Sequence, residues 1–146
     1  MKLDDQLCFS VYAAAHAFTR FYRPLLEPLG LTYPQYLVLL TLWEEDGLSL
    51  KAIGARIGLD SGTLTPLLKR MEAAGFVERH RDAADERLVR IRLTAHGRRL
   101  RRRAERFPER IGEALDCSAA EVTALRRLLF RLRDDLDTAV AAPAGA

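Results

Sequence analysis

Apolar residues recur along this chain at helical spacing in most segments and at alternating spacing in one. Residues 89–93, VRIRL, alternate between apolar side chains and arginine, which predicts a strand that pairs with another strand beginning at 76–77. The other apolar segments predict helices over about 7–21, 33–46, 50–57, 61–74, 95–107 and 119–136. The pattern therefore predicts an α+β fold that is mostly α-helical.

Prolines, glycines and capping side chains set the expected ends of these helices. Pro24, Pro28 and Gly30 are expected to end the first helix, and Pro108 to kink or break the fifth. The tail over 139–146, AVAAPAGA, is expected to be disordered. N-terminal caps are expected at Ser49, Thr94 and Ser118, with Asp60, Ser61 or Gly62 beginning the fourth helix.

Length and composition fit one soluble domain over 1–146. The chain is 49% hydrophobic, has no apolar run long enough to span a bilayer and opens without a secretory signal pattern, so we expect a cytoplasmic protein. Two cysteines are too few for a secreted disulfide scaffold or, without other ligands, a zinc site. The three histidines show no ligand-like spacing. We therefore predict no cofactor, no metal and no catalytic site.

Positive charge is concentrated in one part of the chain. Residues 79–110 hold twelve arginines and five acidic residues, a net charge of +7, so the rest carries −4 of the overall +3. A basic segment on a mildly acidic body is typical of a protein that binds a polyanion. For 98–106 alone, a solvated helix face is an equally good interpretation.

Residues 48–93 are arranged as two short helices, a tight turn and a basic hairpin, the order found in a winged helix-turn-helix. The second helix of that pair opens with small polar residues, which suit contact with DNA base edges, and carries two basic residues that suit contact with phosphate. An ordinary capped surface helix is the alternative. The candidate DNA-binding residues of this helix are Ser61, Gly62, Thr63, Thr65, Lys69 and Arg70.

The tip of the predicted hairpin carries a further candidate. Arg87 is expected to enter the minor groove, where negative potential favours a guanidinium group. Asp85, two residues earlier, is expected to orient Arg87 through a bidentate pair, although such a pair is most often an ordinary surface contact.

The stretch GFVERHRDAADERLVRIRLTAHG, after the helix-turn-helix, resembles the MarR family of winged-helix transcriptional regulators. The resemblance covers nearly the whole chain and implies a homodimer on a pseudo-palindromic double-stranded DNA site. The first helix, apolar on nearly every face, fits burial between subunits. The implied division is dimerisation helices at 1–32 and 95–138 with a winged helix-turn-helix lobe at 33–94.

Within that family, Cys8 with Tyr22 and Tyr33 is similar to the OhrR-type sensors of organic hydroperoxides, as are the stretches LGLTYPQYLVLLTLWE and LDSGTLTPLLKRME. The resemblance implies a Cys8 thiolate that is hydrogen-bonded by both tyrosines and oxidised by the inducer. In one continuous helix Cys8 and Tyr22 would lie ~21 Å apart. The tyrosines are therefore expected from the partner subunit, with Tyr12 shielding or supporting the thiol.

Cys117 fits the second cysteine of the two-cysteine members. The resemblance implies that Cys8 becomes a sulfenic acid and that Cys117 of the other subunit condenses with it to a disulfide. The expected result is a repressor that leaves its operator.

Three other interpretations stay open at this point. A family member that responds to a small aromatic ligand would carry both cysteines incidentally. A thiol peroxidase is disfavoured because the chain has no Cys-x-x-Cys and no phosphate-binding glycine loop, so we expect no enzyme. An architectural protein would bind DNA with almost no sequence preference.

Overall fold

A computed structural model describes residues 2–142, and residues 1 and 143–146 lie outside the described part. The described chain is mostly helical with one small sheet, which confirms the predicted α+β class. In chain order the elements are α1 (Leu7–Leu26), α2 (Tyr33–Glu44), β1 (Leu48–Ser49), α3 (Leu50–Ile57), α4 (Ser61–Ala73), β2 (Val77–Arg81), β3 (Val89–Leu93), α5 (Ala95–Ala104), α6 (Phe107–Ala114) and α7 (Ala119–Ala141).

Strand β3 lies in the centre of the sheet and is antiparallel to both neighbours. It pairs with β2 in the register Val77 to Leu93, as a hairpin requires. Its other neighbour, β1, pairs Leu48 with Ile91 and was not predicted. Strand β1 joins the wing to the helix-turn-helix, so the hairpin is fixed at its base.

The core of the winged lobe is built from α2, α3, α4 and the sheet. Burial of each large apolar side chain stabilises the lobe by roughly 1.5–3 kcal/mol. The packing holds α4 and the hairpin in a fixed mutual orientation. The largest side chains with almost no exposed surface are Tyr36, Leu39, Leu42, Ile53, Leu64, Leu68, Met71 and Ile91.

The chain divides into two compact units, the first ending at Glu105 and the second beginning at Arg106. The sequence predicts that α5 belongs to the dimerisation helices of 95–138, and within one chain α5 is also fixed to the winged lobe. The Trp43 indole N–H donates to the Gly97 carbonyl oxygen at 3.0 Å. Gly97 itself lies against the Phe76 carbonyl so closely that a Cβ there would overlap it.

Two helix ends differ from the sequence prediction. Helix α1 continues through Pro24 to Leu26, because a proline in the last turn removes only one backbone hydrogen bond. Helix α7 runs to Ala141, past its expected end near Leu136 and into the tail expected to be disordered. The rest of that tail, 143–146, lies outside the described residues. The predicted break at Pro108 is confirmed, since α5 ends at Ala104 and α6 begins at Phe107.

Candidate nucleic-acid interface and thiol site

Helices α3 and α4 form the helix-turn-helix, and local capping fixes both. The Ser49 hydroxyl accepts from the Ala52 N–H at 3.2 Å and begins α3. Gly58, at φ 70°, turns the chain after α3. Gly54 has no side chain to meet the Leu59 carbonyl oxygen, which a Cβ would approach to 2.6 Å. The turn between the helices is therefore tight.

Helix α4 presents its polar N-terminal end to solvent and packs against the lobe through its apolar face. Of the predicted DNA-binding residues, Thr65 is half-buried. The buried face consists of Leu64, Leu67, Leu68 and Met71. The exposed candidates are Ser61, Gly62, Thr63, Lys69 and Arg70.

Asp60 caps α4 and also orients Thr63. Its carboxylate accepts from the Thr63 N–H at 2.9 Å and from the Thr63 hydroxyl at 3.2 Å. The hydrogen bond from the Thr63 N–H holds the pKa of Asp60 below its ordinary value, so Asp60 is charged at neutral pH. Because the Thr63 hydroxyl gives its proton to Asp60, it offers lone pairs outward and acts as an acceptor.

The hairpin of β2 and β3, the wing, is braced by a carboxylate that the sequence prediction missed. Asp82 accepts from the Ala84 N–H at 2.8 Å and forms an ion pair with Arg90, which holds the pKa of Asp82 below its ordinary value. Arg90 also donates to the Gly47 carbonyl oxygen at 3.1 Å. Asp82 and Arg90 thus connect the wing tip with the wing base.

The tip of the wing differs in one contact from the prediction. Asp85 does not hold the guanidinium of Arg87 in a bidentate pair. Its carboxylate accepts instead from the backbone N–H of Arg87 at 3.0 Å and shapes the turn. Within residues 2–142 the Arg87 guanidinium has no ion-pair partner, and Arg87 is exposed. The turn therefore presents a free guanidinium at its tip.

Asp46 fixes the base of the wing and was also not predicted. Its side chain accepts from the backbone N–H of Leu93 at 2.8 Å and from the guanidinium of Arg98 at 3.0 Å. These partners lie in β3 and α5, far from Asp46 in sequence. Arg98 and Arg90 are consequently occupied within the lobe, so only part of the basic segment is available to a polyanion.

The two cysteines lie in different units and are both exposed. Cys8 is in the first turn of α1. Tyr12, one turn later, is also exposed, and its ring contacts that of His16 in a tilted arrangement with centroids 4.2 Å apart. Cys117 directly precedes Ser118, which caps α7 in a capping box with Glu121.

Three tyrosines form a cluster at the junction of α1 and α2, and Cys8 is remote from it within one chain. The ring of Tyr22 lies 5.1 Å from that of Tyr33 and 5.3 Å from that of Tyr36, centroid to centroid. Helix α1 is continuous between Cys8 and Tyr22, so ~21 Å of helix separates them. Tyr36 was missed, although its spacing of three residues from Tyr33 places both on one helix face.

Burial further disfavours ionisation of the phenols in this tyrosine cluster. Desolvation raises the pKa of Tyr22, of Tyr33 and, most strongly, of Tyr36 above the ordinary value for tyrosine. At neutral pH all three therefore carry an O–H that can donate a hydrogen bond.

The described residues hold neither a cluster of metal-ligating side chains nor a helix suited to a membrane. Across 2–142 no three histidine, cysteine or acidic side chains are grouped as a metal site would require. No helix in the same residues combines the length and apolarity needed to cross a bilayer.

The chain is similar in sequence to known transcriptional regulators. A family model described as the MarR family matches residues 31–89. The HTH-type transcriptional regulator TtmR of Methylorubrum extorquens (strain PA1) is 58% identical over 135 residues, which cover 92% of this chain and 69% of that protein. The organic hydroperoxide resistance transcriptional regulator of Bacillus subtilis (strain 168) is 46% identical over 136 residues, covering 93% of this chain and 92% of that protein.

Solved structures of AbfR from Staphylococcus epidermidis are similar to this chain over most of their length. Reduced AbfR bound to DNA has a TM-score of 0.81 and 38% identity, with 94% of each chain covered. Disulfide-formed AbfR has a TM-score of 0.64 and 40% identity, covering 89% of this chain and 91% of that one. The similar structures thus include one bound to DNA and one with a disulfide.

Proposed function

Because this chain belongs to the MarR family of transcriptional regulators, we propose that it is a dimeric DNA-binding repressor that senses organic hydroperoxides through Cys8. The observation that carries the sensing role is the tyrosine cluster. Tyr22 and Tyr33 lie side by side with protonated hydroxyls, while the exposed Cys8 is too far along α1 to reach them in its own chain. A second copy of the chain would supply the missing thiol.

Exposed apolar side chains support the homodimer. Helix α7 has no buried residue in the single chain, even though it carries large apolar side chains. Of these, Phe130 and Leu136 are 51% and 58% exposed. A helix of 23 residues without a fully buried side chain gains little stability from its own propensity. Helix α1 likewise exposes Leu7, Val11 and Phe18. Pairing of these helices between two subunits would remove their apolar surfaces from water.

The geometry of the winged lobe supports operator binding. The exposed start of α4 suits the major groove, with Thr63 as an acceptor and Ser61 and Gly62 at close approach. Lys69 and Arg70, further along α4, suit phosphate contacts. Two copies related by a twofold axis would read two half-sites about one helical turn of DNA apart.

The proposed sensing reaction begins at the Cys8 thiolate, which the hydroxyls of Tyr22 and Tyr33 of the partner subunit stabilise as hydrogen-bond donors. The sulfur attacks the outer oxygen of the hydroperoxide ROOH. An S–O bond forms with two electrons from the sulfur, the O–O bond breaks, and the leaving alkoxide takes up the proton that the Cys8 thiol has released and departs as the alcohol ROH. Cys8 is then a sulfenic acid.

The second step joins the two cysteines. The Cys117 thiolate of the other subunit attacks the Cys8 sulfur, an S–S bond forms, and the sulfenic oxygen leaves as water with the proton from the Cys117 thiol. A bond between the ends of two subunits would displace the terminal helices and change the spacing of the two winged lobes. The half-sites would then no longer be matched.

Replacement of Cys117 by serine is expected to remove the covalent dimer. After treatment with cumene hydroperoxide, the wild-type chain should give a reductant-sensitive dimer band on a non-reducing gel. The Cys117→Ser variant should give none, because its Cys8 sulfenic acid has no resolving thiol. A dimer band that persists in this variant would assign the disulfide to a different pair of cysteines.

Operator binding with and without oxidant tests the proposal as a whole. The reduced dimer should bind DNA from upstream of its own gene with a preference of at least ~10³-fold over unrelated DNA. Cumene hydroperoxide should abolish that preference, and a thiol reductant should restore it. Equal affinity for both DNAs would support architectural binding, and equal affinity before and after complete oxidation of Cys8 would exclude the proposed sensing role.

A further inference from the structure

The tip of the wing, residues 82–88, has no apolar core of its own. Every residue from 83 to 89 is exposed, so burial of apolar side chains contributes little to the conformation of the tip. The side chain of Asp82, where the tip begins, is by contrast only 12% exposed. Its backbone N–H donates to the Leu88 carbonyl oxygen at 2.9 Å and closes the loop. The rest of the tip depends on side-chain hydrogen bonds.

Both carboxylate oxygens of Asp82 are occupied, and they act on different parts of the lobe. Oδ1 accepts from the backbone N–H groups of Ala84 at 2.8 Å and Asp85 at 3.3 Å, and these bonds shape the turn. Oδ2 accepts from Nε of Arg90 in β3. The same guanidinium donates to the Gly47 carbonyl oxygen at 3.1 Å. One side chain therefore links the turn to the body of the winged lobe.

The contacts of Asp82 extend to the residue expected to enter DNA. The carboxylate of Asp82 holds the N–H of Asp85, and the carboxylate of Asp85 accepts from the N–H of Arg87 at 3.0 Å. Loss of the Asp82 contacts would therefore loosen the backbone that carries the exposed Arg87 guanidinium.

We propose that Asp82 is a positioning residue for DNA binding, which holds the wing tip so that Arg87 reaches the minor groove of the operator. The inference rests on the proposed function and assigns part of the operator affinity to an acidic side chain. Its expected effect is opposite in sign to that of charge alone. Removal of a negative charge near DNA should strengthen binding, because repulsion of the phosphates decreases. Removal of Asp82 should weaken it.

The Asp82→Asn variant of the full reduced dimer tests this inference. Asparagine has one acceptor oxygen, so it cannot serve both the turn and Arg90. In anisotropy titrations, affinity for DNA from upstream of its own gene should fall about ten-fold, less than for removal of Arg87 itself. Affinity for unrelated DNA should stay the same or rise slightly.

The Glu86→Gln variant is the matched control. It removes the same charge from an exposed residue of the same tip, and should leave both affinities unchanged or slightly higher. Operator affinity that is unchanged or higher in Asp82→Asn, as in this control, would overturn the inference. An equal loss of affinity for unrelated DNA would show a general defect of the fold and would overturn it as well.

A double-mutant cycle separates positioning of Arg87 from other effects of the brace. If Asp82 acts through Arg87, Asp82→Asn should weaken operator binding in the otherwise wild-type dimer but not in an Arg87→Ala background. An equal weakening in that background would show that Asp82 acts on another contact and would overturn the inference.

The outcomes distinguish this inference from the proposed function. A reduced wild-type dimer that binds its operator no more tightly than unrelated DNA overturns both together. A wild-type dimer that binds its operator specifically and releases it on oxidation, with an Asp82→Asn variant of equal operator affinity, overturns only the role of Asp82. Oxidation of Cys8 by cumene hydroperoxide should proceed at the wild-type rate in Asp82→Asn, because Asp82 takes no part in the proposed thiol chemistry.

Discussion

Replacement of Cys8 by serine is expected to abolish the response to hydroperoxide completely. Serine is close to cysteine in size and has no sulfur to oxidise, so neither the sulfenic acid nor the disulfide can form. Fluorescence anisotropy with labelled operator DNA measures the effect. Cumene hydroperoxide should lower the affinity of wild type by about 10³-fold, down to non-specific binding, and leave that of Cys8→Ser within about two-fold of its reduced value.

Two controls make this result specific to Cys8. Untreated Cys8→Ser should bind operator as wild type does, because serine is close to cysteine in size and Cys8 lies outside the winged lobe. After treatment, the Cys8 of Cys117→Ser should no longer react with thiol-labelling reagents, because this variant can still form the sulfenic acid. Release of operator by treated Cys8→Ser would show that a residue other than Cys8 senses the hydroperoxide. A regulator that responds to a small aromatic ligand would show the same release by that ligand in wild type and in Cys8→Ser.

Features that depend on residues three or four apart could be predicted from the sequence. The caps at Ser49, Thr94 and Ser118 are confirmed, and the open choice at the start of α4 is settled in favour of Asp60 as the cap. These contacts are local, so the residue types and their spacing suffice to define them. The resemblance to the MarR family is confirmed by the family match over residues 31–89 and by the similar regulators.

Features that depend on distant partners could not be predicted in this way. Strand β1 has two residues, too few for an alternating pattern, and forms only because β3 lies beside it. Asp46 is an ordinary acidic loop residue until the fold brings the Leu93 N–H and Arg98 to it. The ion pair of Asp82 with Arg90 closes the hairpin across its turn. A register for the hairpin would have been needed to find that pair.

The tyrosines were only partly predictable for the same reason. Tyr22 and Tyr33 were predicted as site residues from the family resemblance, and the structure does bring their rings together. Tyr36 could have entered through helical spacing, but its hydrogen bond with Tyr22 depends on the packing of α1 against α2. The contact of Cys8 with Tyr22 and Tyr33 stays a prediction, because it requires a second subunit.

The Arg87→Ala variant is expected to lose most of its specific operator affinity without loss of stability. Loss of a guanidinium that enters the minor groove costs about 1–3 kcal/mol per wing, so two wings predict a total of about 2–6 kcal/mol, a loss of affinity of at least about 30-fold. The turn should survive, because alanine retains the backbone N–H that donates to Asp85. Anisotropy titrations of the reduced dimer measure the affinity, and thermal unfolding measures the stability.

Matched variants separate a groove contact from a general loss of charge. Arg99→Ala removes the same charge from an exposed position on α5, outside the wing, and should weaken binding by less than about three-fold through long-range electrostatics alone. Arg87→Lys keeps the charge but lacks the planar group, so it should recover only part of the affinity. If Arg87→Ala binds operator as tightly as wild type, the wing tip makes no energetically important contact with DNA. If Arg87→Lys binds operator with the full wild-type affinity, Arg87 contributes only charge near the phosphates. Operator binding then does not depend on a guanidinium in the groove.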